Sequence, residues 1–252
     1  MEHAADPSHP RYRSLLMRHR LEIAAKKGML ADSAMIAHGR GEAYDYLLGE
    51  TTIPSADLAT RFALRALMKA EHPVLSVNGN VVALAGDEML KLADWIGCPI
   101  EVNIFYRTPE RMEALLTDLN ERKKRLGLHV DILGASPDAT IPGLKGPRAK
   151  CESKGILRAD TILVPLEDGD RCEALVAMGK TVIVIDLNPL SRSSRRGSIT
   201  IVDELSRCLE NMLAMETETL PSLDSYEHDK TLQDALNAIV DGMKNKFSET
   251  KE

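Results

Sequence analysis

Two periods alternate along this chain. Short apolar runs with no polar face, rich in β-branched residues, are separated by stretches in which apolar residues recur every three or four positions. The first kind fits strands covered on both sides of a sheet and the second fits amphipathic helices. The runs VLSVNGN (Val74 to Asn80), IEVNIF (Ile100 to Phe105), HVDIL (His129 to Leu133), TILVPL (Thr161 to Leu166), TVIVID (Thr181 to Asp186) and ITIVD (Ile199 to Asp203) predict strands. Helices are predicted through Leu90 to Trp95, from the Thr108-Pro109 start signal onward, and over CEALVAMG (Cys172 to Gly179). Such alternation implies an α/β fold: a Rossmann-like, mainly parallel sheet with helices on both faces.

Helical patterns flank this core. After Pro10, Leu15, Leu16 and Ile23 predict the apolar side of a helix that ends near Lys26, Lys27 and Gly28. A second amphipathic helix covers Pro54 to Lys69, with Leu58, Phe62, Leu64, Leu67 and Met68 as its core face. Beyond the last strand, Leu205, Cys208, Leu209, Met212 and Leu213 mark another. A final helix carries Leu232, Ala235, Leu236, Ile239, Val240 and Met243 on one stripe, expected to meet the core or a second subunit. The chain therefore reads as one unit over 1–252: a helical part over 1–72, the Rossmann-like core over 73–203, and C-terminal helices over 204–252.

Gly134 to Gly155 (GASPDATIPGLKGPRAKCESKG) shows neither period. A loop of that length inside a compact domain is expected to be either functional or disordered, and as a functional one it would cover the site or serve a partner subunit.

Composition narrows the class. A formal net charge of −6 argues against nucleic acid as a partner, because phosphate neutralisation needs a basic surface. Cys98, Cys151, Cys172 and Cys208 lie far apart with no CxxC pair, so reduced, structural thiols are expected. No apolar run reaches the roughly 20 residues that span a bilayer and no signal-peptide pattern opens the chain, so a cytoplasmic protein is expected.

Candidate chemistry sits where parallel strands end, because ligands of open α/β sheets bind beyond those ends. Asn78-Gly79-Asn80, Tyr106-Arg107, Glu167-Asp168-Gly169-Asp170 and Asp186-Leu187-Asn188 should share one rim, with Ser191, Arg192 and Ser193 following the last of them. Glu167 and Asp168, with Asp170, are candidate magnesium ligands; alternatively Asp168 and Gly169 make a turn and Asp170 caps the next helix. Upstream, His38-Gly39-Arg40-Gly41 has two readings. Glycines around an arginine let backbone and guanidinium close on an anion, or they form a tight turn before a helix starting near Glu42. It has neither a dinucleotide fingerprint nor a P-loop. Arg18 is expected at the margin of the first helix's buried face, within reach of a ligand.

SHPRYRSLLMR, IAHGRGEAYDYLLGE, EHPVLSVNGNVVAL, NIFYRTPERM, VPLEDGDRCEALV and IDLNPLSRSS, in this order, resemble the archaeal 4-phosphopantoate–β-alanine ligase family, also called phosphopantothenate synthetase. The resemblance implies a homodimeric ligase of coenzyme A biosynthesis that uses ATP with Mg2+ to join 4-phosphopantoate and β-alanine, releasing AMP and diphosphate through an acyl-adenylate. Carried over by motif, ATP contacts would fall on Arg18, Arg40, Asp186, Leu187, Asn188, Arg192 and Ser193, with a further contact near Val202 and Asp203. His38, Arg40 and Arg192 are the candidate catalytic groups. Asn78, Asn80 and Arg107 are the candidate substrate contacts, with Arg107 for the phosphate of phosphopantoate. Two other classes stay open on strand order and polar strand ends alone: a nicotinamide-dependent oxidoreductase, and a nucleotide-binding module without turnover.

Overall fold

The computed structural model describes residues 6–248, and their side chains as far as residue 244. Three helices come first: α1 (Tyr12–Lys26), α2 (Ala34–Leu47) and α3 (Pro54–Lys69). The alternating part follows as β1 (Pro73–Val77), α4 (Gly79–Ile96), β2 (Ile100–Val102), α5 (Pro109–Leu126), β3 (Ile132–Leu133), the short strands β4 (Ala139–Thr140) and β5 (Lys150–Cys151), β6 (Thr161–Pro165), α6 (Gly169–Ala177), β7 (Thr181–Ile185), α7 (Arg192–Arg196) and β8 (Ile199–Ile201). Helices α8 (Leu205–Leu213) and α9 (His228–Ser248) complete the chain.

Six strands form a sheet in the order β3-β2-β1-β6-β7-β8, every pairing parallel. Chain direction across the sheet reverses between β1 and β6, so the crevice for a ligand opens at their carboxyl ends. The expected α/β class is observed. The same order is shared by dinucleotide-binding folds, so the fold alone does not choose a reaction.

Successive strand residues feed two cores, as the pleat requires. Leu75, Leu163, Ile183 and Ile185 join the core beneath α1, α3, α4, α5 and α8, whereas Val74, Ile162, Val164, Val182 and Val184 join a smaller one with α6. That smaller core is completed by Ile141, Cys151 and Ile156 from the aperiodic segment, which is therefore a sheet cover rather than an open loop. Two buried carboxylates organise it. Glu101 on β2 accepts from the Glu152 and Ile156 amides at 2.9 and 2.7 Å, and Glu152 accepts from the Gly134 amide at 2.7 Å.

Several expected boundaries shift for local reasons. β1 stops at Val77 because the Asn78 side chain accepts from the Val81 amide and caps α4, which puts Gly79 and Asn80 inside the helix. β2 and β3 are shorter than their apolar runs. Thr108 caps α5 as predicted. The cap of α6 is Asp168, not Asp170, which lies in the first turn. The buried residues of α1 are Met17, Leu21 and Ala24; Leu15 and Leu16 are half-buried and Ile23 is exposed. Leu58 and Met68 of α3, and Val240 and Met243 of α9, are also exposed. The largest correction concerns Gly39 and Gly41, which lie within continuous helix α2, so neither an anion loop nor a turn before Glu42 forms.

All four cysteines are free and buried, and burial pushes the thiols of Cys98 and Cys172 up to about 12. No helix among the described residues is long and apolar enough to cross a membrane.

Candidate active site

A cleft of about 500 Å³ opens at the β1/β6 switch point. Its floor is backbone. Asn78 donates from Nδ2 to the carbonyls of Pro165 and Leu166 at 3.3 and 3.0 Å while capping α4, so one amide side chain ties the two strand ends together. Leu166 takes a left-handed backbone (φ +52°), a conformation costing a non-glycine residue on the order of 1 kcal/mol or more that recurs at functional sites. Asn80 also lines the cleft and donates to the Ala34 carbonyl, fixing the start of α2.

Helix α2 forms one wall with His38 and Arg40. Arg40 is exposed and makes no hydrogen bond or ion pair with the described residues, which leaves its guanidinium available. His38 is half-buried, and burial lowers its pKa below the ordinary 6.5 despite the carboxylates of Glu42 and Glu204; its Nε2 is buried without a partner. Gly41 faces Leu187, whose Cδ1 would lie 3.5 Å from a Cβ there, an ordinary contact that brings α2 against the β7 end.

Beyond β7 the backbone is stapled by its own polar side chains. Asp186 accepts from the Asn188 amide at 3.0 Å and the Ser191 hydroxyl at 2.6 Å; Ser191 caps α7; Ser193 donates to the Glu167 carbonyl at 2.6 Å. Burial raises the pKa of Asp186. Of this nucleotide-matched segment only Leu187 lines the cleft; Asp186, Asn188 and Ser193 support the turn behind it.

The other expected residues divide. Arg18 is exposed and chelates Glu42, at 3.0 Å from Nε to each oxygen, outside the cleft lining. Arg192 pairs with Asp170 on the surface. Val202 is buried, and Asp203 accepts from Thr52 at 2.7 Å and from Arg207, which also holds Asp45 at 2.6 Å, so it acts as structure beneath the site. Arg107 does not line this cleft: it donates to the Gly134 carbonyl and borders a separate surface depression.

Glu167 and Asp168 do line the cleft, but their oxygens are engaged. Glu167 pairs with Arg148 and with fully buried Arg171, and Asp168 pairs with Arg148 at 3.0 Å while capping α6. Among the described residues no group of three or more His, Cys, Asp or Glu side chains could hold a metal.

Sequence reading missed the two cations at the inner end, Arg111 on α5 and Arg148 in the aperiodic segment. Arg148 lies far along the chain from β1 and in no motif, yet buried Asn103 donates to its carbonyl and that of Lys150 at 3.2 and 3.0 Å. The available signal was Asn103 itself, an amide inside an apolar run.

Guanidinium groups thus enter one switch-point cleft from α1 and its approach (Arg11, Arg13), α2 (Arg40), α5 (Arg111), the aperiodic segment (Arg148) and α8 (Arg207). Six carboxylates, Glu42, Asp45, Glu50, Glu167, Asp168 and Glu204, line it as well, so fold and site define an α/β protein with a charged cleft at the switch point of its parallel sheet. The chain belongs to the phosphopantothenate/pantothenate synthetase family, whose profile matches residues 55–243. It is similar to the 4-phosphopantoate–beta-alanine ligase of Thermococcus kodakarensis, 47% identical over 242 residues covering 93% of this chain and 91% of the relative. The protein of the same name from Methanosarcina mazei is 46% identical over 250 residues, 96% of each chain. That of Methanospirillum hungatei is 44% identical over 211 residues, 84% of each.

Proposed function

We propose that the protein is an ATP-dependent ligase that joins (R)-4-phosphopantoate to β-alanine in coenzyme A biosynthesis, releasing AMP and diphosphate. The supporting observation is a single cleft faced by Arg40 and Leu187 on the β7 side and by Asn78, Asn80 and Arg111 on the β1 side, which gives two anionic substrates a shared floor.

Carboxylate oxygen is a poor leaving group, so the acid attacks the α-phosphate of ATP first, expelling diphosphate and forming an acyl-adenylate. The β-alanine amine then attacks the acyl carbon and AMP departs. Positioning and charge stabilisation dominate such chemistry, and no serine or cysteine nucleophile is needed. Arg40, with Arg18 and Arg192 at the margins, answers the charge of the triphosphate, while Leu187 and the Asp186–Asn188 turn hold the nucleoside. His38, neutral at pH 7 with a free Nε2, takes the proton that the β-alanine ammonium must lose before it attacks. Mg2+ would supply charge neutralisation on the phosphates, and it would be held by the nucleotide rather than by Glu167 and Asp168, whose carboxylates are committed to arginines.

The protein acts as a homodimer in this reading. Helix α2 buries only Asp45 and exposes Met35 and Ile36, an apolar surface that a second copy would cover.

The test is AMP and diphosphate release from ATP and magnesium, with 4-phosphopantoate supplied alone, with β-alanine, or replaced by pantoate. AMP formation that needs 4-phosphopantoate and rises with β-alanine is the expected result. ADP as product would replace the adenylate by an acyl phosphate, and nucleotide binding without cleavage would return the protein to the non-catalytic class.

A further inference from the structure

Helix α2 carries His38 and Arg40 to the cleft, yet little apolar burial holds it there. Asp45 is its one buried residue, and it meets the core through half-buried Tyr44. Polar ties fix the rest. Asn80 on α4 donates to the Ala34 carbonyl at the start of the helix, and Arg207 on α8 holds Asp45 near its end. Between these two points, Glu42 reaches α1. Its Oε1 accepts from the Ser14 hydroxyl, from Arg11 Nη2 at 3.2 Å and from Arg18 Nη2 at 2.7 Å, while Arg18 Nε lies 3.0 Å from both of its oxygens. Burial opposes the charge of Glu42, but the hydrogen bonds from Arg18 and Ser14 outweigh it and hold the carboxyl below its ordinary pKa.

Of these donors, Arg18 depends most on the contact. Arg11 is also held by Glu50 at 2.8 Å and lies over the Tyr46 ring, 4.9 Å from its centroid. Arg18 has no hydrogen-bond or ion-pair partner among the described residues besides Glu42. Its side chain is 45% exposed, against 13% for that of Glu42, so without the carboxylate its long stem would sample many rotamers. Glu42 takes the edge formed by Nε and Nη2 and leaves Nη1 with no partner among the described residues. A guanidinium presents its donors in a fixed plane, so one edge can be anchored while another faces an anion. Because Glu42 lines the cleft, the remaining edge stands at the cleft's margin. Exposed ion pairs alone add little to stability, so what this one supplies is geometry.

We infer that Glu42 is a positioning residue for nucleotide binding: it anchors Arg18 by one edge so that the other meets the phosphates, and it ties that arginine to the helix bearing Arg40. This rests on the ligase reading, which gives Arg18 and Arg40 to the triphosphate. The carboxylate stands two residues from Arg40 in α2 and is bonded to Arg18 in α1, so it sets the spacing of the two guanidiniums across the boundary between the helices. A carboxylate that only occupied Arg18 until nucleotide displaced it would act in the opposite sense, weakening the binding of ATP.

The experiment measures AMP release by the full-length protein, Glu42→Gln, Arg18→Ala and the double variant, with ATP and 4-phosphopantoate varied in turn and melting midpoints as the folding control. Gln keeps the shape and an acceptor oxygen, and Arg11 retains Glu50, so the fold tolerates the change. In Glu42→Gln the KM for ATP should rise roughly fivefold while that for 4-phosphopantoate stays within about twofold. In the Arg18→Ala background the same substitution should bring no further rise, because Glu42 acts through the arginine. A merely structural role would carry its full effect into that background. An unchanged or lowered KM for ATP in Glu42→Gln, an equal rise for the acid, or a further rise of the same size in the double variant would each overturn the assignment. If the wild type releases no AMP, the ligase reading fails by itself. Calorimetry with ATP on the same four proteins then decides the role of Glu42: a loss of affinity that disappears in the Arg18→Ala background supports it, and no loss, or additive losses, refute it.

Discussion

His38 shows how one side chain ties the site to the pH dependence of the fold. Burial holds its pKa below 6.5, as it does for His228 at the start of α9. Around His38 stand Glu42 and Glu204, which favour its protonation, and Arg18, which opposes it; Asp229 favours that of His228. A depressed folded pKa makes each histidine's contribution to stability fully present above the unfolded value and lost as pH falls through the folded one. The raised carboxyls of Asp45, Glu101, Asp186 and Asp203 act in the opposite sense, their contribution being lost as pH rises. The informative quantity is therefore a difference. Between about pH 7.5 and 5.5, the range over which histidine titrates, the drop in melting midpoint should be smaller in His38→Asn/His228→Asn than in the wild type. Equal drops would mean that neither imidazole is held neutral by the fold.

Among the elements, the aperiodic cover over residues 134–157 is the least regular and the most dependent on a few bonds. Replacing Glu101 by Ala would leave the Glu152 and Ile156 amides without acceptors in a buried place, at a cost of about 1–3 kcal/mol each. We expect a lower melting midpoint and faster trypsin cleavage at Lys145, Arg148, Lys150 or Lys154; a cleavage map that leaves this segment intact would contradict the pinning role. The same bonds explain what could be foreseen from the chain. Strands buried on both faces, such as Thr181–Ile185, announce themselves by composition, and caps such as Thr108 by position. The cover has no period because its order comes from β2 carboxylate and amide groups far away in sequence. Helix α2 was obscured for another reason. Gly39 and Gly41 cost a helix roughly 1 kcal/mol each relative to alanine, and neither position demands glycine by packing: a Cβ would meet nothing within 4 Å at Gly39 and only Leu187, at 3.5 Å, at Gly41. In the site, strand ends predicted Asn78, Asn80 and Leu187 as lining, whereas Arg111 and Arg148 reach it only through tertiary placement.

At the scale of the whole molecule, the exposed apolar surface is unevenly placed. Ile36 is 69% exposed and Met35 40%, on a helix whose one buried residue is an aspartate and which meets the core through half-buried Tyr44, so α2 keeps much of its apolar surface outside the core. Burial of apolar area is worth about 25 cal/mol per Å², and a helix that withholds it from its own core has it to give to a second copy. Helix α9 continues the same character, since the carbonyl of Leu47 at the end of α2 lies 3.5 Å from a Cβ added at Gly242, between exposed Val240 and Met243. Because α2 also carries His38 and Arg40 into the cleft, association would fix the wall of the site as well as cover the surface. Ile36→Asp should therefore shift the protein from dimer to monomer by light scattering. It should also make ligation fall steeply with dilution, at concentrations where the wild type is unaffected. A wild type that is monomeric at micromolar concentration, or an Ile36→Asp variant that stays dimeric, would move the interface away from α2 and leave its apolar face to another role.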